Sequence, residues 1–180
     1  MPILVPLAEG FEEIEAIAVI DLLRRGGVEV VTATPGKNPV TGSHRIPVTA
    51  DTILGHSTRF SGIVLPGGGL GTENLKNDSR IIDLVRVIHN ESGLTAAICA
   101  APSVLAAAGI MKGIRFTCYP GYENEIKGHG GIHTGDPVVK DGHIITGKGA
   151  GCAVQFALAL LEELKGPETA RSIKEQIMTP

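Results

Sequence analysis

Short apolar runs that alternate with amphipathic segments along 180 residues predict an α/β fold. In such a fold a mostly parallel sheet is covered on both faces by helices. Three observations carry the prediction. β-Branched or apolar runs recur at 3–7 (ILVPL), 28–34 (VEVVTAT), 62–66 (GIVLP) and 95–98 (TAAI). Helical patterns separate the first two and the last two. The chain is 43% hydrophobic, enough for one sizeable core. No composition shift, repeat or low-complexity tract divides it, so residues 1–180 are expected to form one domain.

The elements follow in order. Residues 10–27 (GFEEIEAIAVIDLLRRGG) read as a helix closed by glycine, with Arg24 and Arg25 in the last turn where the dipole favours cations. The Pro/Gly-rich segment PGKNPVTGSHRIPVTAD suits a short hairpin, and GGGLGTENLKND reads as a loop. In SRIIDLVRVIHNESG (79–93), Ile81, Leu84, Val85 and Ile88 fall at i, i+3, i+4 and i+7, the signature of an amphipathic helix. APSVLAAAG reads as a helix; GIRFTCYP (113–120) and HIITG (143–147) read as strands. GCAVQFALALLEELKG (151–166) is a strongly apolar helix, and a short helix ends the chain.

Composition excludes several function classes. The net charge is −3 with no run of like charge, so nothing recruits nucleic acid or an anionic membrane. Trp is absent and aromatics are 3%, which removes base-stacking surfaces. No apolar stretch approaches the roughly 20 residues of a membrane span. The N-terminus lacks the basic start and apolar core of a signal peptide. A soluble cytoplasmic chain is expected.

The three cysteines, Cys99, Cys118 and Cys152, have neither C-x-x-C nor zinc-finger spacing, so no metal and no disulfide framework is expected. Cys99 follows a strand and precedes a helix, which puts it at the carboxyl edge of the sheet, where α/β folds bind ligands. Its frame, Ala97-Ile98-Cys99-Ala100-Ala101, supplies the small neighbours that a sharp strand-to-helix elbow needs. Pro102 suits the first helical turn. Helix N–H groups aimed at the sulfur are expected to lower its pKa from about 8.5 to between roughly 3.5 and 7.5. The competing reading is a buried filler, and spacing alone does not decide between them. Cys152, in GKGAGCA, reads as a close-packed helix start, because the phosphate-loop order is missing. Cys118 reads as mid-strand core.

Two further pieces point to the same edge. The glycines of LPGGGLGT (65–72) either turn backbone N–H groups outward, to form an oxyanion hole with the N–H of Ala100, or simply make a tight loop. Glu15 shares a helical face with Val19, Leu22 and Leu23, and a carboxyl desolvated there stays protonated towards neutral pH. That helix is apolar almost all round. Periodicity therefore does not single out Glu15, and a second apolar face suits a partner subunit.

The ordered blocks GFEEIEA, DLLRRGGVEVVTA, IVLPGGGLGTENL, AAICAAPSVLA and GAGCAVQFALALLEEL run along nearly the whole chain. Together they resemble the ThiJ/PfpI superfamily, in the branch of the parkinsonism-associated deglycase DJ-one and its bacterial relatives. The resemblance implies a flavodoxin-like three-layer sandwich, a class I glutamine amidotransferase-like domain over 1–180, and a homodimer. It implies Cys99 as nucleophile, Glu15 as its carboxyl partner, and the Gly68 and Ala100 amides around an incoming oxygen. It also implies cofactor-free glyoxalase or deglycase chemistry on glyoxal, methylglyoxal or early glycation adducts through a hemithioacetal. The other implied role is an oxidative-stress sensor or redox-regulated chaperone acting through a Cys99 sulfinic acid. The chain departs from the pattern in three places. Ala100 stands where protease-like members carry His. In FTCYP, Tyr119 stands where the branch usually offers His; it can donate a hydrogen bond, but with a pKa near 10 it is a poor base. His129 and His133 lie a few residues on. Ser43-His44-Arg45 occupies the segment where relatives often carry an anion-binding arginine.

Overall fold

The computed structural model describes residues 1–55 and 59–179. The chain runs β1 (Ile3–Pro6), α1 (Glu13–Arg25), β2 (Val30–Thr34), β3 (Val40–Thr41), β4 (Pro47–Val48), β5 (Thr52–Ile53) and β6 (Gly62–Leu65). It continues α2 (Gly69–Lys76), α3 (Ser79–Asn90), β7 (Leu94–Ile98), α4 (Pro102–Ala107), β8 (Arg115–Phe116), α5 (Glu123–Gly128), β9 (Ile132–His133), β10 (Val138–Asp141) and β11 (Ile144–Gly147). A 3-10 turn, Ala150–Cys152, leads into α6 (Ala153–Lys165) and α7 (Pro167–Gln176).

Seven strands form the central sheet in the order β10-β11-β7-β6-β1-β2-β5. Every pairing is parallel except β10 with β11. The central strands β1, β6 and β7 are buried along their whole length, as strands covered on both faces must be. One face carries α1, α6 and α7, whose Leu23, Phe156, Leu160 and Ile173 pack with Val5 and Val64. The other carries α2 to α5, whose Leu75, Ile81, Val104 and Ile126 pack with Leu4 and Ile63. This is the flavodoxin-like three-layer α/β sandwich. The chain steps from β1 to β2 on one side and later returns to place β6 on the other. The crevice beyond the carboxyl ends of β1 and β6 is therefore the switch point where such sheets take ligands.

The structure differs from the sequence reading in several places. GGGLGTENLKND is not a loop: α2 begins at Gly69, with Gly68 at φ 89° as its N-cap. The glycines mark a close approach, because a Cβ on Gly71 would sit 2.7 Å from the backbone of Phe11. GIRFTCYP is a strand only at Arg115–Phe116, paired with β9 in a separate two-stranded sheet. Cys118 is buried, as a core residue should be, but lies past that strand. The edge strands β5 and β10 are too short or too polar to show a periodic signal. On α3, Ile81, Val85 and Ile88 are buried, whereas Leu84 is half-buried. The hairpin expected in the Pro/Gly-rich segment is β3–β4.

Candidate active site

The site is assembled from three strand ends. After β1 the chain turns through Gly10 and Phe11 into α1, whose N-cap Glu12 accepts the Glu15 N–H at 2.8 Å. After β6 it turns through Gly67 and Gly68 into α2. Two reciprocal bonds clamp these turns together: Glu12 N–H donates to Gly67 O at 3.0 Å, and Gly67 N–H donates to Glu15 Oε2 at 2.8 Å. A third tie, Gly71 N–H to Gly10 O at 3.1 Å, closes the seam.

After β7 comes the elbow. Cys99 sits at φ 64°, in the left-handed region that costs a non-glycine residue about 1–3 kcal/mol. Its neighbours hold it there: Cys99 N–H donates to Gly147 O at 2.9 Å, and Tyr119 N–H donates to Cys99 O at 2.8 Å. The thiol is half-buried, not walled into the core. Gly67 permits the approach of acid and thiol, since a Cβ there would lie 2.6 Å from both Cys99 Cβ and Glu15 Oε2.

Glu15 is fully buried. Burial pushes its carboxyl from 4.5 up to about 7, against the lowering pull of the Gly67 N–H and of a hydrogen bond with Cys99. Its Oε1 has no hydrogen-bond partner among the described residues. The sulfur differs from the sequence expectation. Burial first, then the Glu15 carboxylate, push the Cys99 thiol up to about 12, while the Gly68 and Ala100 N–H groups pull it down. Between those two values Cys99 and Glu15 together hold one proton. With Glu15 ionised the sulfur keeps its hydrogen. With Glu15 neutral the opposing charge is gone, and the two amides pull against burial alone.

Glu13 faces the other way, into the β3–β4 turn. It accepts from His44 N–H at 2.8 Å, contacts His44 Nδ1 at 3.0 Å and accepts from the Ser43 hydroxyl at 3.2 Å. Burial opposes its ionisation, but the hydrogen bonds from His44 and the backbone outweigh it and hold the carboxyl at about 2. Glu12, Glu13 and His44 bring ligand atoms within 4.8 Å of one another. Hydrogen bonds within the group account for that geometry.

Cys99, Glu15, Gly68 and Ala100 are therefore brought together. Tyr119 joins them through its backbone only. Its side chain is 52% exposed, packs over Gly149 and lines a cavity of about 530 Å³ with Pro120, Pro137 and Cys152. His133 stacks on Phe116 at 5.3 Å between ring centroids, and His129 caps α5 on the surface. Cys152 contacts Gly149 and Pro137 and caps α6. Two residues escaped the sequence reading. Gly67 was legible only as one of three consecutive glycines. Tyr122 had no signal: its hydroxyl would lie 3.8 Å from a Cβ on Gly69.

The profile of the DJ-1/PfpI family matches residues 1–163. The chain belongs to this family. Protein dj-1beta of Drosophila melanogaster is 40% identical over 97% of this chain and 95% of its own length. The crystal structure of Drosophila melanogaster DJ-1beta superposes with a TM-score of 0.95 at 38% identity, covering both chains completely. The glutathione-independent glyoxalase DJR-1.2 of Caenorhabditis elegans is 37% identical over 92% of this chain and 89% of its own. A structure described as Toxoplasma gondii DJ-1, oxidized, gives a TM-score of 0.93 at 32% identity, covering 98% and 97% of the two chains. Membership in the DJ-1/PfpI family accords with the order of motifs and with the strand-to-helix elbow. No helix among the described residues is long and apolar enough to cross a membrane.

Proposed function

We propose that this DJ-1/PfpI chain is a cofactor-free glyoxalase, with deglycase action on early glycation adducts as the same chemistry on a larger aldehyde donor. The observation that carries the reading is the fully buried Glu15, raised to about 7 and paired with a half-buried thiol that faces two backbone amides. A carboxyl that titrates near neutrality both takes and returns a proton. As the sulfur attacks the aldehyde carbon of methylglyoxal, Glu15 accepts the thiol proton and passes it to the new hydroxyl. The Gly68 and Ala100 N–H groups hold the oxygen while it bears charge. Glu15 then moves the C1 proton to C2 through an enediol, which converts the hemithioacetal into a thioester of lactic acid. Water cleaves that thioester and restores the thiol. Methylglyoxal plus water gives lactic acid, with no external oxidant or metal.

The glyoxalase name of the nematode relative supports this substrate class. Tyr119 contributes its backbone N–H, which fixes the elbow at Cys99 O. We further infer a homodimer, because Ile14 and Ile17 on α1 are 60% and 44% exposed, and a cytoplasmic setting that keeps Cys118 and Cys152 reduced. The test follows lactate from methylglyoxal with wild type and Cys99→Ser. Turnover that disappears in the variant supports the reading. Turnover that survives it, or none in wild type, refutes it. The oxidised relative favours one second reading, a peroxide sensor. Two hydroperoxides would then convert Cys99 to a sulfinate, each leaving as an alcohol or water. A gain of two oxygens on Cys99 without lactate formation would select it.

A further inference from the structure

Tyr122 stands immediately before α5, and α5 is tied to α2. Lys76 Nζ bridges Glu73 at 2.7 Å and Glu125 at 3.1 Å, with only 20% of its side chain exposed. The buried Ile126, one turn into α5, anchors the same segment, and its N–H closes on Tyr122 O at 3.4 Å. These contacts hold the Tyr122 ring, half-buried against the α2–α5 face, with its hydroxyl beside Gly69. Gly69 follows directly on Gly68, whose N–H faces the Cys99 sulfur. The Tyr122 hydroxyl makes no hydrogen bond among the described residues, so it is a free donor beside Gly69. Burial raises the phenol's pKa, as does the neighbouring Cys99, so it keeps its hydrogen at neutral pH.

We propose that Tyr122 is a specificity-determining residue whose hydroxyl donates a hydrogen bond to the second carbonyl of a 2-oxoaldehyde while Cys99 adds to the first. The inference rests on the glyoxalase reading of the same site. The step is a reversible addition: the S–C bond forms, the aldehyde C=O π bond opens, and the thiol proton reaches the new hydroxyl through Glu15. Nothing leaves. A simple aldehyde undergoes the same addition but offers Tyr122 nothing to bind.

The experiment measures how well methylglyoxal, and separately propanal, protects Cys99 from iodoacetamide, read by peptide mass spectrometry in wild type and Tyr122→Phe. Lactate formation is followed in parallel. Loss of one hydrogen bond raises the half-protecting concentration of methylglyoxal roughly three- to tenfold. That of propanal stays put. An equal change for both aldehydes, as a folding defect would cause, or no change for either, overturns the proposal. Selective protection without lactate formation refutes the glyoxalase reading and leaves Tyr122 its role. Lactate formation that is indifferent to Tyr122→Phe, with protection equally unchanged, does the reverse. Absence of any methylglyoxal protection in wild type removes both.

Discussion

Replacing Glu15 with Gln should flatten the pH dependence of folding stability. Below pH 4.5 the residue is protonated in both folded and unfolded chains, and its contribution is complete. Above that value the unfolded chain releases the proton, while burial makes the folded chain keep it up to about pH 7. Stability is therefore lost across this window as pH rises, and the loss levels off beyond it. At about 1.4 kcal/mol per pH unit, the interval from 4.5 to about 7 corresponds to about 3 kcal/mol. Glu15→Gln cannot ionise, so it escapes this loss while keeping an oxygen for the Gly67 N–H. The assay is urea unfolding of both proteins at about pH 4.5 and about pH 8, compared as a double difference that cancels every other titrating group. With a slope of about 2–3 kcal/mol/M, the wild-type midpoint should fall by about 1 M more than that of the variant. Parallel behaviour of the two midpoints would show that Glu15 titrates as if solvated, and the shared-proton account of the site would fail with it.

The opposite limb belongs to Glu13, whose lowered pKa gives stability that is present above 4.5 and lost as pH falls towards 2. Glu13→Gln should remove that acid-side loss, and an unchanged acid transition would contradict it. Gly67→Ala places a methyl 2.6 Å from both Cys99 Cβ and Glu15 Oε2. It should destabilise by about 1–3 kcal/mol and, by parting acid from thiol by about 1 Å, lower turnover about 100-fold; unchanged lactate formation would disprove the close fit. Iodoacetamide should label Cys99 and leave Cys118, which is 1% exposed, untouched in the folded state; equal labelling of both would show that the elbow does not present its sulfur.

The sheet core and the site's skeleton were legible because local chemistry and tertiary role agree there. Buried β1, β6 and β7 needed apolar runs, and the elbow needed small residues beside Cys99. Legibility ended where a tertiary contact overrides the local signal. Gly71 sits inside α2, against helix propensity, because the Phe11 backbone passes too close for a side chain. The thiol pKa was misread in direction, because the helix N–H groups can be inferred from position whereas burial and the opposing carboxylate act only in the folded chain. Tyr122 is held beside Gly69 by α5, whose Glu125 pairs with Lys76 of α2, 49 residues away in the chain.

The left-handed backbone at Cys99 sets function against robustness. Glycine adopts that φ of 64° freely, so Cys99→Gly relaxes the chain even as it deletes the sulfur. Selection for heat resistance alone would discard the atom that the proposed chemistry needs. A cysteine at such a position is a cost that an inert scaffold has no reason to carry.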